Sequence, residues 1–154
     1  MRPIIVAALG LALMGAAPAA AQDYNSSTNY GDLRLSPGFT PDPALVTLRA
    51  GGSIDASTRF NTCRGYITEA PDMRLFWDGS GSLSLKISAM SNADTTLVIN
   101  GPNGEWYCDD DSGEDSNPSV TMKPTAGRYE IWVGTYSSGE TKQAVVSISE
   151  LSSF

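Results

Sequence analysis

Between Lys86 and Lys123 the chain carries no Lys or Arg, yet it holds seven carboxylates: Asp94, Glu105, Asp109, Asp110, Asp111, Glu114 and Asp115. Five of them fall in the run Asp109-Asp110-Asp111-Ser112-Gly113-Glu114-Asp115. Crowding like charges into one loop is unfavourable unless water, salt or a cation screens them. A hard divalent cation answers that need, and calcium accepts six to eight oxygens in irregular geometry. Asp109, Asp110, Asp111, Glu114 and Asp115 are therefore candidate Ca2+ ligands, with the Asn117 side chain and loop carbonyls completing a shell. The spacing is not that of an EF-hand. Counted from Asp109, the required glycine falls one residue early at Gly113, and Val120 stands where a bidentate Glu belongs. A solvated acidic loop with no specific ion explains the same residues, and both readings stay open at this point.

The absences remove most enzyme classes. There is no His in the chain, so Ser-His-Asp and Cys-His arrangements and histidine-ligated zinc are excluded. No GxxxxGK loop and no GxGxxG follows a strand. Paired-carboxylate hydrolysis is the one chemistry that survives, and a single small sandwich has little room for its cleft, so the expectation is a protein that is not an enzyme. The formal net charge of −7 argues against nucleic acid as a partner and against anionic lipid surfaces.

Aromatic residues supply a second candidate surface. With Tyr129, Ile131 and Val133 facing a core, Trp132 faces outward, and Trp106, Tyr107, Trp77 and Tyr136 are candidates to lie near it. Trp106, Trp132 and Tyr136 are thus expected to form a platform for a glycan or an extended polypeptide. Two plainer readings compete: the rings cover a sheet beneath the N-terminal arm, or a one-residue shift places Trp132 in the core.

These residues need elements to position them, and the pattern supplies short strands parted by turns. Leu45–Leu48, Met73–Trp77, Leu83–Ala89, Thr95–Ile99, Glu105–Cys108, Val120–Met122, Tyr129–Val133 and Ala144–Leu151 read as strands, several with the period of two of half-buried strands. No segment sustains helical spacing. About eight such strands predict an all-β fold, a two-sheet antiparallel, jelly-roll-like β-sandwich over residues 44–154. Residues 22–43 are rich in Asn, Ser, Thr, Gly, Pro and Asp and read as a polar N-terminal arm.

Residues 1–21 read as a cleavable signal peptide. Arg2 precedes an apolar run from Ile4 to Ala17, and Ala19-Ala20-Ala21 offers a small-residue exit before Gln22. Spanning lipid takes roughly 20 apolar residues, more than this run provides, so no membrane insertion is expected after cleavage. The expected destination is the periplasm or medium of a bacterium. In that oxidising setting Cys63 and Cys108 are expected to form a disulfide.

The stretch from Asp72 to Tyr136 resembles the bacterial pre-peptidase C-terminal (PPC) domain, a jelly roll related to the collagen-binding domains of bacterial collagenases. The matching pieces, in order, are Pro71-Asp72-Met73-Arg74-Leu75-Phe76, Leu83-Ser84-Leu85-Lys86-Ile87, Asp94-Thr95-Thr96-Leu97-Val98-Ile99, Gly101-Pro102-Asn103-Gly104, Asp109-Asp110-Asp111 and Ala126-Gly127-Arg128-Tyr129-Glu130-Ile131-Trp132-Val133. The resemblance implies a calcium-stabilised accessory module and adds Asp72 and Asp94 to the candidate ligands. It departs from the family in lacking an accompanying peptidase, in the cysteine pair, and over residues 49–69. The function expected is an exported, non-catalytic module binding a protein or glycan; the alternative is a structural protein whose arm adds a strand to a neighbouring copy, making a homo-oligomer.

Overall fold

The computed structural model describes residues 22–79 and 81–152; the expected signal peptide, residues 1–21, lies outside them. Eleven strands follow in chain order: β1 (Asp32–Leu35), β2 (Ala44–Gly51), β3 (Ile54–Asp55), β4 (Tyr66–Ile67), β5 (Met73–Trp77), β6 (Leu85–Ser91), β7 (Thr95–Asn100), β8 (Trp106–Asp109), β9 (Ser119–Met122), β10 (Gly127–Thr135) and β11 (Thr141–Ser149). A 3-10 turn at Ala56–Thr58 lies between β3 and β4. The eight expected strands correspond to β2 and to β5 through β11; the three further strands are short.

The strands make two sheets. One runs β1-β5-β10-β4-β3, with β7 paired to β10 and β8 to β7; the other runs β2-β11-β6-β9. Pairing is antiparallel except for β1, which lies parallel to β5 in the register Asp32↔Arg74 to Leu35↔Trp77. The alternation in the sequence is what brings the sheets face to face. Met73, Leu75 and Trp77 of β5 and Tyr129, Ile131 and Val133 of β10 point inward. They meet Leu85, Ile87, Val146 and Ile148 of the four-stranded sheet in one buried core. At the entrance to β10 the Tyr129 hydroxyl donates to the Thr125 carbonyl (3.0 Å) and accepts from the Thr125 N–H (2.9 Å), fixing the turn that feeds the strand.

The outer face of the seven-stranded sheet is covered by two chain segments. Residues 54–67 pack a second cluster, Ala56, Cys63 and Ile67, onto Val98 and Trp132. That approach depends on missing side chains: a Cβ at Gly134 would collide with the Tyr66 carbonyl oxygen, and one at Gly52 with the Ile67 backbone.

The second segment is the polar arm. Gln22 is buried, its amide donating to the Thr68 and Glu69 carbonyls. Asn29 N–H and Tyr30 N–H donate to the Pro71 and Asp72 carbonyls. Arg74 and Arg128 reach out from the sheet to the Tyr24 and Ser26 carbonyls and to Asn25 Oδ1. The arm thus supplies β1 to its own sheet. Past β1, Asp42 accepts from the Ser149 hydroxyl and the Glu150 N–H, tying the proline-rich link to the end of β11.

Candidate functional site

The acidic residues do not assemble into one shell. Asp109, the last residue of β8, spends its carboxylate on its own loop: it accepts from Ser112 N–H (3.0 Å), Ser112 Oγ (2.6 Å) and Ser119 N–H (2.7 Å). Asn117 is likewise committed. Its Oδ1 accepts from Ser91 N–H and Thr95 Oγ1, and its Nδ2 donates to the Glu114 carbonyl. Asp115 and Ser116 turn the loop through left-handed backbone, φ 52° and 58°. The side chains of Glu114 and Asp115 lie in exposed residues.

Asp94, in the β6–β7 turn, does meet Asp110 and Asp111. Burial comes first in raising the Asp94 carboxyl above its ordinary range, followed by the charges of Asp111 and Asp110. Asp110 is raised by burial, then by Asp111 and Asp109, with Arg64 opposing. Even so, no group of three or more His, Cys, Asp or Glu side chains among the described residues has the arrangement of a metal site. The seven expected ligands therefore do not fit a single calcium shell.

Asp72 serves elsewhere. It is fully buried at the foot of β5, its Oδ2 accepting from Val133 N–H (2.8 Å) and its Oδ1 from Asn29 Nδ2 (3.0 Å). It is a joint between arm and sheet. Burial pushes its carboxyl up from 3.8 to about 6, against the lowering pull of the Val133 and Asn29 donors. A carboxyl raised in the folded state holds its proton more tightly there than when unfolded. Asp72 therefore opposes folding above pH 6, and that penalty fades as pH falls through about 6 and vanishes below 3.8. Relative to Asp72→Asn, the wild type is expected to gain at most about 3 kcal/mol of stability between pH 7 and pH 4. Urea unfolding of both proteins across that range reads the difference; a flat difference would contradict the assignment.

The aromatic platform requires a correction. Trp132 does face away from the main core, as the alternation predicts, but it is not exposed: its relative accessibility is 0%. The cover is the 54–67 segment, whose Ala56, Cys63 and Ile67 close over it. Phe60 stacks on Trp106 at 4.0 Å between ring centroids, and Trp106 tilts against Trp132 at 5.6 Å. Cys63 and Cys108 are paired within this cluster, Cα–Cα 5.1 Å. Tyr136 is 47% exposed but stands beside Asp94, whose carbonyl accepts its N–H. Since β7 pairs Thr95 with Thr135 and Asn100 with Glu130 and Trp106, Tyr136 and Trp106 lie at opposite ends of that strand. Of the three expected residues, Trp106 lines an opening.

That opening is a groove of about 580 Å³ between the β7–β8 turn, the start of β10 and the arm. Trp106, Tyr24, Asn100, Asn103 and Arg128 line it. Below its Arg128 wall sits a charge cluster on the outer face of β10. Glu130 is 1% exposed, and its Oε1 accepts from Arg74 Nε at 2.7 Å and from Arg128 Nε at 2.8 Å. Glu130 holds Arg128 against the Tyr24 ring, with the guanidinium carbon 6.0 Å from its centroid. Tyr24, Asn100, Asn103 and Arg128 escaped the sequence reading. The usable signals were an aromatic near the start of a polar arm and two Asn-Gly pairs, Asn100-Gly101 and Asn103-Gly104, shortly before Trp106.

A scan against protein-family models finds no match for this chain, and no curated protein matches it.

Proposed function

We propose that the chain is an exported, non-catalytic binding module whose ligand lies in the groove at Trp106. One observation carries this reading: a polar groove with two aromatic rings is built from three separate parts of the chain and held by Arg74 and Arg128 converging on buried Glu130. Its size falls within the roughly 300–1,000 Å³ of small-ligand sites. The absence of His from the sequence supports a non-catalytic role, and the resemblance to PPC domains supports an accessory one.

Export is tested by fractionating cells that make the full chain. The expected product is in the periplasm or medium and begins at Gln22; an intact chain in the cytoplasm would overturn that part. Binding is tested with a photo-crosslinking residue at Asn103 and, as a control, at Met90 on the outer face of the four-stranded sheet. Adducts with envelope components are expected from position 103 alone. Adducts from neither site, or equally from both, would refute the groove as the ligand site.

Calcium belongs to this reading only at the Asp94–Asp110 end of the acidic loop, where the carboxylates feel one another's charge and where loop carbonyls and water, not a third converging carboxylate, would complete the shell. A ligand present at about 100 times its Kd stabilises by about 2.7 kcal/mol, so millimolar calcium is expected to raise the melting temperature over that in chelator. Asp94→Asn with Asp110→Asn is expected to abolish the increment. An unchanged melting temperature in calcium would remove the metal from the proposal.

A further inference from the structure

We infer that the groove at Trp106 takes a neutral saccharide, an inference that rests on the binding-module reading and names its ligand class. The charge balance comes first. Arg128 is the one charged residue lining the groove; it shares the Glu130 carboxylate with Arg74, beside which Asp32 lies at 3.9 Å, so two carboxylates balance the two guanidiniums, and its Nη2 donates to Asn25 Oδ1 at 3.0 Å. The chain as a whole carries −7, which repels anions. A cationic ligand would need a carboxylate in the lining, and none of the lining residues has one. An uncharged ligand is what these walls suit.

The main-chain donors narrow the class further. In the turn Gly101–Gly104, Gly101 N–H donates to the Glu105 carbonyl (2.8 Å) and Gly104 N–H to the Gly101 carbonyl (3.0 Å). Asn103 N–H donates to Glu105 Oε2 (3.0 Å), and Pro102 has no N–H. Every main-chain donor of the turn is thus spent. An extended peptide gripped by main-chain pairing needs a row of open N–H and C=O groups, and this wall does not provide one.

What the groove does offer is side chains: the exposed Asn103 amide, Asn100 (its Nδ2 donating to the Glu105 carbonyl), the Tyr24 side chain, and the part of the Trp106 ring that Phe60 and Trp132 leave uncovered. Amides and hydroxyls act as both donor and acceptor, and the rings add apolar faces with a polar rim. A saccharide has the matching surface, hydroxyls around the edge and C–H groups across the face.

The test uses the full mature chain and named probes: tetrasaccharides of β-1,4-glucose, α-1,4-glucose, β-1,4-xylose, β-1,4-mannose and β-1,4-N-acetylglucosamine. Tetragalacturonate is the anionic comparator and an uncharged Pro/Ser decapeptide the extended one. Saturable binding, by tryptophan fluorescence and calorimetry, is expected for at least one neutral tetrasaccharide with Kd at or below about 1 mM. Asn103→Ala and Tyr24→Ala are expected to weaken it about tenfold, and Tyr24→Phe to keep most of it. Asn103 sits on an exposed turn, so its variant is read at an unchanged melting temperature.

Absence of binding by all five neutral probes in that range overturns the inference, as does binding insensitive to Asn103→Ala. Preference for tetragalacturonate or the decapeptide, lost on Asn103→Ala, also overturns it, while leaving the binding-module reading intact. That reading fails separately, through the crosslinking result at position 103.

Discussion

Breaking the Cys63–Cys108 link is expected to lower the free energy of unfolding by about 4 kcal/mol, the loop-closure entropy of its span in the chain-entropy model. The two cysteines are 45 residues apart, and between them run β4, β5, β6 and β7. For a domain of this size that corresponds to a fall in melting temperature of roughly 15 °C. The local effect should be larger than the global one. Cys63 is the point at which the 54–67 cover is covalently fastened to β8; otherwise the two-residue strands β3 and β4 and the packing of Ala56, Phe60 and Ile67 hold it. Hydrogen exchange in the reduced protein should therefore rise first across residues 54–67, at denaturant concentrations where the main core is still protected. Urea unfolding of Cys63→Ala/Cys108→Ala gives the global figure. A loss below about 1 kcal/mol would show that the sandwich does not depend on the link.

Truncating Trp132 is the second large effect. A fully buried Trp reduced to Ala typically costs about 3–5 kcal/mol, the lost transfer energy together with the cavity left behind. Trp132 sits at 0% exposure between Trp106 and the Cys63 cover, so the full range is expected. Tyr136, on the same strand's exit and 47% exposed, is the internal control. Tyr136→Ala should fall within about 0.5 kcal/mol of wild type, as surface substitutions usually do. Near-equal effects of the two would mean that Trp132 is not covered. Because Trp132 touches the disulfide cluster, its cost and that of the cysteine variant should not add; in the reduced background Trp132→Ala is expected to cost less.

These two sites mark the boundary of what the sequence made legible. The eight expected strands were readable chiefly where their apolar residues alternate, as in Tyr129-Ile131-Val133 and Val146-Ile148, and a period of two leaves little choice of face. The third face of the structure was not readable. Ala56, Phe60, Cys63 and Ile67, which cover Trp132 and Trp106, are scattered through a turn-rich segment with no period at all. β1 is four residues of alternating charge and leucine; Leu33 and Leu35 pack against the main core, but two leucines in a polar arm are too short a pattern to announce a strand or its parallel pairing with β5.

The acidic loop shows the same limit from the other side. Adjacency in sequence correctly marked Asp109, Asp110 and Asp111 as a charge cluster. It did not distinguish the carboxylate that organises the loop, Asp109, from those that crowd Asp94. The groove was least legible, since Tyr24, Asn100 and Arg128 come together through the pairing of β7 with β10 and the arm's bonds to Arg74 and Arg128, none of which is local in sequence.

The pairing of β2 with β11 sets a condition on when this chain can fold. β2, residues 44–51, finds its sheet partner only in residues 141–148, and β6 lies on the far side of that same strand. Until the last strand has left the ribosome, two of the four strands of one sheet have no neighbour in common, and the inner face of the other sheet has nothing complete to close against. Such long-range closure makes folding a late, whole-chain event and not a stepwise one. A sandwich that stays open until β11 is made is one that a membrane channel could still thread up to that point.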